Sequence, residues 1–298
     1  MLKMETVKQK SGIILIDKTI GPTSRQIVNA VSFLLHTKKV GHVGTLDPFA
    51  SGLLILTVNH ATKIGSYLET LDKTYVAKIK LGDKTDTGDL TGQIIASHDV
   101  PRLINKQVIS DVLQSFLGKR QQIPPMFSAL KRDGKPLYKY AREGKTLKRE
   151  PRDILIHEIM LLSFDVDTIE FQARVSKGTY VRTLGEEIAE ALGTVGHLIS
   201  LRRVAIGVFD VAEAINVDDV SNDQMIDIVS ALKHMRQVAV EPEQVKDIKN
   251  ARPISLNVFE EQVLLVSDKE ALAIYERRDD GLYYSRRGLF FWKQFFLI

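Results

Sequence analysis

Residues 41–54 read GHVGTLDPFASGLL and run into the apolar stretch LLILTV (53–58). Gly41, Gly44 and Gly52 punctuate a loop that holds His42, Asp47 and Pro48 next to a segment suited to burial on both faces. Two readings of Asp47 stand at this point. An Asp-Pro step between glycines makes a turn, because Asp caps backbone amides and Pro fixes φ. Alternatively, Asp47 is a carboxylate on a rigid loop, with glycines admitting the close approach of a ligand or another backbone.

Outward from this loop, strand and helix patterns interleave. GIILIDK (12–18) is a short buried strand. Thr23 or Ser24 caps a helix carrying Ile27, Val28, Val31, Leu34 and Leu35 on one face. TYVAKIKL (74–81) alternates, with Tyr75, Ala77, Ile79 and Leu81 on one side and Lys78 and Lys80 on the other. The polar loop GDKTDTGDLTG (82–92) leads to a strand, QIIAS, and residues 105–117 carry Val108, Val112, Leu113 and Phe116 inward on a helix. Strands follow at ILIHEIMLLSF, TIEFQARVS and RRVAIGVF. A helix after Gly178 presents Val181, Leu184, Ile188 and Leu192, and another is expected over 226–235. Without regular βαβ repetition, the pattern predicts a mixed α/β domain rather than a doubly wound one. From residue 237 onward, a Pro-flanked helical piece and short strands (QVLLVS, ALAIYERR, GLYYSRRGLFF) form a small β-rich appendage. Its size requires docking on the main domain.

Composition narrows the chemistry. A chain of 298 residues with 44% hydrophobic and 26% charged residues is ordinary for a soluble globular protein. No cysteine is present, which excludes disulfides, thiolate metal sites and cysteine nucleophiles. MLKMETVKQKSG has no apolar core, and no apolar run approaches membrane-span length, so a cytoplasmic protein is expected. The net charge of +4 is unevenly spread. Residues 119–152 hold eleven Lys and Arg against Asp133, Glu143 and Glu150, a local +8, with Phe127, Tyr138 and Tyr140 interleaved. This fits contact with a polyanion, or a solvated basic loop.

Among motifs, Asp83, Asp86 and Asp89 have the wrong spacing for a calcium loop and suit a hairpin turn. The histidines show no zinc-like pairing, and Walker and G-x-G-x-x-G fingerprints are absent; no metal or cofactor is expected. His42, Asp47 and Ser51 together invite a hydrolase reading that lacks a G-x-S-x-G elbow. SKGTYVRTLGEEIAEAL places Lys177, Tyr180 and Arg182 at a strand-to-helix junction. There an arginine either caps local structure or reaches Asp47 and keeps it ionised.

GHVGTLDPFASGLL resembles the signature of the TruB family of tRNA pseudouridine synthases. IDKTIGPTS resembles that family's N-terminal motif, and KTYVA, SKGTYVRTL and HLISLRR follow in the family's order and spacing. Thr19 and Ser51 depart from the commoner residues. The resemblance implies an α+β pseudouridine synthase fold, with a mixed, largely antiparallel central sheet flanked by helices, over residues 1–236. Within it, a basic RNA-clamping insertion covers about residues 120–152, and residues 237–298 are a PUA-like RNA-binding domain. The implied reaction is cofactor-free isomerisation of uridine 55 in the T-loop of tRNA, on a flipped-out base. By resemblance, Asp47 is the catalytic aspartate, which attacks the base or C1′ or supports a glycal. Tyr75 stacks on the base, and Arg182 pairs with the carboxylate. His42 fills space vacated by loop bases, and Leu201 lies beside the uracil pocket. Gly44, Thr45, Tyr180, Asp89, Lys131, Arg132 and Arg142 are assigned to the substrate. The insertion sets the chain apart from the branch directed by guide RNA and accessory proteins, so a monomer acting on the tRNA T-stem-loop without guide RNA or obligate protein partner is expected. A non-catalytic RNA-binding protein is the rival from another class; it would not need Asp47, Tyr75 and Arg182 together.

Overall fold

GIILIDK forms β1 (Gly12–Lys18), in which Ile14 and Ile16 face one apolar cluster and Ile13 and Leu15 another. This burial on both faces explains why its sequence does not alternate. The computed structural model describes residues 10–290. The N-terminal segment read for targeting lies largely outside the described residues, as do the end of GLYYSRRGLFF and the rest of the tail to 298.

Thr23 caps α1 (Ser24–Leu34) in a capping box with Gln26; Ile27, Val28 and Val31 are buried, while Leu34 lies outside the buried stripe. β2 (Val40–Val43) and β3 (Ser51–Val58) flank the Asp47 loop, and α2 (Gly65–Glu69) precedes β4 (Lys73–Leu81). The acidic loop becomes the hairpin β5 (Asp83–Thr85) and β6 (Ile94–Ser97), as its turn residues predicted. In α3 (Lys106–Ser115), Val108 is 39% exposed and Ile109 takes its place inward with Leu113 and Phe116. The sequence offers two adjacent stripes, and packing against the sheet selects the one spaced i, i+4, i+7.

β7 (Gly118–Gln122) leads into the basic segment, which holds the small hairpin β8 (Lys131–Arg132) and β9 (Lys135–Pro136) and then α4 (Leu137–Arg142). The chain rejoins the sheet in β10 (Arg152–Phe164), whose first residue pairs with Gln122. The insertion is therefore an excursion that leaves and returns at one cross-strand pair. β11 (Thr168–Val175), α5 (Val181–Ala191), β12 (Gly196–Ile206) and β13 (Phe209–Asp210) complete the main sheet, β12 starting well ahead of the RRVAIGVF pattern. The order is β1-β3-β12-β4-β11-β10-β7, with β2 on β3 and β13 on β12. β3–β12 is its one parallel pairing among the described residues, so the sheet is mixed and largely antiparallel.

The helix expected over 226–235 shrinks to α6 (Ile228–Ala231). Ile226 instead exchanges backbone hydrogen bonds with Ile13 at 2.8 and 2.9 Å, extending the sheet edge. Beyond it, β14 (Arg236–Ala239), β15 (Gln262–Ser267), β16 (Glu270–Arg277) and β17 (Tyr283–Gly288) form a second sheet, with α7 (Pro242–Lys249) against it. Val263, Leu265, Tyr275 and Tyr283 build its own core. Leu264, Ile274 and Leu289 pack with Ile13, Leu15, Leu53 and Ile55, so the small unit docks on the main sheet as its size required.

Candidate active site

The Asp47 loop is pinned by the segment that begins α1. The Ser24 hydroxyl, 2% exposed, donates to the Leu46 carbonyl at 3.0 Å and accepts from the Leu46 N–H at 2.9 Å. The Gly21 N–H donates to the Pro48 carbonyl at 2.8 Å. These contacts give IDKTIGPTS a local purpose: it immobilises the carboxylate-bearing loop. Gly44 and Gly52 both have positive φ, +67° and +100°. A Cβ on Gly52 would meet the Arg203 carbonyl oxygen at 2.2 Å, where β3 and β12 pair in parallel. That glycine serves strand contact rather than ligand approach, and only Gly44 of the three borders the cleft.

Arg182, the second residue of α5, is almost wholly buried and uses its whole guanidinium. Nε lies 3.0 Å from Asp47 Oδ2; Nη1 donates to the Thr87 carbonyl at 2.6 Å and lies 3.7 Å from Asp89 Oδ2; Nη2 donates to the Phe127 carbonyl at 2.7 Å. Asp89 is itself fixed, its Oδ1 accepting from the Thr91 N–H and the Thr87 and Thr91 hydroxyls. The arginine is thereby preorganised before any substrate arrives. The Asp47 side chain keeps 38% of its surface open. Partial burial pushes its carboxyl above the ordinary aspartate range; Arg182 pulls it back and Asp89 pushes it up again.

Three further buried cations lie about the Asp47 loop, Lys18 within reach of the carboxylate's charge and Lys73 and Arg203 beside Gly44. Lys18 is fully buried, donates to the Thr19 and Pro22 carbonyls, and is brought down to about 8 chiefly by burial, with Asp47 opposing that fall. Lys73 donates to the Glu69 and Leu71 carbonyls and is likewise lowered to about 8, by burial and then by Arg203. Arg203 donates to the Leu53 and Gly44 carbonyls. Strand register sets Tyr75 between Ala173 of β11 and Arg203 of β12.

The cleft so formed measures about 820 Å³. Asp47, Gly44, Thr45, Tyr75, Tyr180, Arg182 and Leu201 all line it, although they are drawn from well-separated stretches of chain. His42 and Asp89 do not. His42 sits on β2 with Nδ1 buried and without a hydrogen-bond partner, and burial lowers its pKa, so it is neutral at pH 7. The Ser51 hydroxyl takes a long contact from Arg202 rather than from His42, so the hydrolase arrangement is not assembled. Asp89, expected at the substrate, is buried behind Arg182 as its second carboxylate. Lys131, Arg132 and Arg142 lie on the insertion, away from the lining; Arg132 donates to the Lys148 carbonyl and Arg142 lies over the Tyr138 ring. Lys18, Lys73 and Arg203 were not singled out from the sequence. The parity of β4, which puts Lys73 on the same inward face as Tyr75, was the available signal.

Residues 33–181 match the TruB family pseudouridylate synthase (N terminal domain), and residues 182–238 match the tRNA pseudouridylate synthase B C-terminal domain. The chain is 43% identical over 250 residues to tRNA pseudouridine synthase B of Azoarcus sp., covering 82% of this chain and 83% of that one. Over 281 residues it is 39% identical to tRNA pseudouridine synthase B of Francisella philomiragia, covering 94% and 83%. Among solved structures, a chain of a Cbf5-Nop10-Gar1 complex superposes with a TM-score of 0.68 at 25% identity, over 89% of this chain and 78% of that one. A chain of an H/ACA RNP bound to a substrate RNA superposes at 0.70, over 94% and 85%; at 22% identity this speaks for the fold. The fold is that of the pseudouridine synthases. Within that class, the chain belongs to the TruB family of pseudouridylate synthases. The second sheet, from β14 onward, lies almost entirely beyond the matched domains.

Proposed function

We propose that the protein isomerises uridine at position 55 in the T-loop of tRNA to pseudouridine, acting alone on the T-stem-loop. The observation that carries this reading is the Asp47–Arg182 pair, opening onto a cleft that Tyr75 and Leu201 also line. In the reaction the N1–C1′ bond breaks, the base turns while held, and C5 bonds to the same C1′. The C5 proton leaves and N1 gains one, so no redox carrier or hydrolytic water is consumed. Asp47 supplies the carboxylate at the sugar and base, Arg182 fixes and neutralises it, and Tyr75 stacks on the extruded uracil. Extrusion costs a few kcal/mol and stacking returns about 1–3 kcal/mol. Gly44, Thr45 and Tyr180 border the nucleotide, and His42, on β2 just before the loop, supports recognition of the rearranged T-loop rather than proton transfer. The second sheet acts as a PUA-like RNA-binding module, the enzyme works as a monomer, and its substrate places it in the cytoplasm. No helix of the described residues is long and apolar enough to cross a membrane.

The direct test uses T-stem-loop RNA labelled with tritium at uridine C5, with no guide RNA added. Tritium release and a pseudouridine product are expected; binding without release would instead identify an RNA-binding protein. The insertion supplies a separate expectation. Neutralising Lys131, Arg132, Lys135, Lys139 and Arg142 should weaken RNA binding and flatten its salt dependence, by about 0.7–0.9 in log–log slope for each phosphate that the protein no longer neutralises. Lys135 and Arg142 already lie against the Tyr140 and Tyr138 rings, which stiffens a cation-bearing face. An unchanged slope would make the insertion a bystander.

A further inference from the structure

A buried amide at the root of the insertion has no part in the site as described so far. Gln122 ends β7 and is 2% exposed. Its side chain spans the backbone of one residue of the cleft: Nε2 donates to the Tyr180 carbonyl at 3.1 Å, and Oε1 accepts from the Tyr180 N–H at 2.8 Å. Using donor and acceptor together fixes both the orientation of the amide and the backbone it grips. Tyr180 is the N-cap of α5, with φ −95° and ψ 106°, and its side chain makes no capping hydrogen bond. The start of the helix is therefore located from outside, by Gln122.

Arg182 lies one residue inside that helix start, so the placement of its Cα follows from where the cap is held. The same stretch of chain reaches the guanidinium directly, since the Phe127 carbonyl accepts from Arg182 Nη2. Gln122 also pairs across the sheet with Arg152, the residue at which the insertion returns and itself part of the cleft wall. One buried side chain thus joins the insertion root, the α5 cap and the arginine that holds Asp47.

We propose that Gln122 is a positioning residue for the isomerisation: by clamping the Tyr180 backbone it sets the start of α5 and holds Arg182 against the Asp47 carboxylate. The assignment rests on the roles of Asp47 and Arg182 proposed above. A packing role would be met by an apolar side chain of similar size, and Gln122→Met tests that distinction. Gln122→Asn keeps the amide but draws it back by one methylene.

The full-length variants are measured for thermal midpoint, RNA affinity, single-turnover rate on T-stem-loop RNA and the pH dependence of that rate. For Gln122→Met, a displacement of Arg182 by about 1 Å is expected to cost on the order of 100-fold in rate. RNA affinity should stay within about threefold, a change of under about 1 kcal/mol. The acid limb of the pH profile should move to higher pH, because Asp47 loses part of the cation that favours its ionised form. Gln122→Asn should recover part of both the rate and the limb, and it carries the test if Gln122→Met does not fold. A folded variant with an unmoved acid limb, whatever its rate, would overturn the assignment. Asp47→Asn is run alongside. If it is inactive while Gln122→Met matches the parent protein, the positioning role alone fails; if it is active, the catalytic reading beneath it fails as well.

Discussion

Asp47→Asn is expected to abolish pseudouridine formation while leaving affinity for T-stem-loop RNA within about tenfold, ~1.4 kcal/mol. The substitution changes charge and almost nothing else. Ser24 and Gly21 pin the loop through backbone groups of Leu46 and Pro48, so its path does not depend on the carboxylate. Arg182 remains anchored by the Thr87 and Phe127 carbonyls and by Asp89, and an asparagine oxygen can still accept from Nε. Stability supplies an internal check. Asp47 has its carboxyl pKa raised on folding, so its ionised form disfavours the folded state above that pKa, and the penalty disappears below the unfolded value near 3.8. The asparagine variant should therefore be at least as stable as the parent protein at pH 7, and that advantage should vanish as the pH falls to the ordinary aspartate range. Single-turnover tritium release and thermal midpoints at the two pH values measure both parts. Turnover at the parental rate would end the catalytic assignment.

Much of this arrangement could be read along the chain, because local patterns follow from local forces. The alternation of β4 put Tyr75 inward, the unbroken apolar run of β3 signalled a strand buried on both faces, and the charge of residues 119–152 marked the insertion. Three kinds of feature were not legible in that way. Helix phase in α3 depended on which of two neighbouring stripes met the sheet. Gly52 looked like a ligand-approach glycine because the strand that crowds it, at Arg203, is far away in sequence. The ties that give Arg182 its geometry run to Thr87, Phe127 and Asp47, and the clamp on its helix comes from Gln122. No window of sequence contains both ends of any of these contacts. Resemblance to a family could point to Arg182, but it did not reveal that Asp89 stands behind it as a second, buried carboxylate. Lys18 and Lys73 escaped notice for a related reason: buried lysines are rare, and here they persist because their ammonium groups reach backbone carbonyls.

Arg182→Lys should lower the rate of isomerisation by on the order of 10²–10³-fold even though the charge is retained. A guanidinium here holds two backbone carbonyls and faces two carboxylates from a rigid planar fork, whereas an ammonium is a compact point charge with three donors on a flexible stem. It cannot reach Asp47, Thr87, Phe127 and Asp89 at once. Drawn to the buried Asp89 and the two carbonyls, the ammonium leaves Asp47 with less of the pull that offsets its burial, and the Asp47 pKa rises further. In the mechanism proposed above Asp47 acts in its ionised form, so the rate of the parent protein should fall as the pH is lowered through a limb that lies above the ordinary aspartate value. In Arg182→Lys that limb should lie higher still. The shift separates two explanations of a slow variant. If the lysine merely loosens the fold by leaving buried Asp89 poorly paired, the thermal midpoint drops and raising the pH leaves the rate depressed. If Asp47 is held protonated for a larger part of the pH range, raising the pH restores part of the rate. Recovery on the alkaline side, in protein shown to be folded by its thermal midpoint, is the expected result; a limb at the parental position would mean that Arg182 does not tune Asp47.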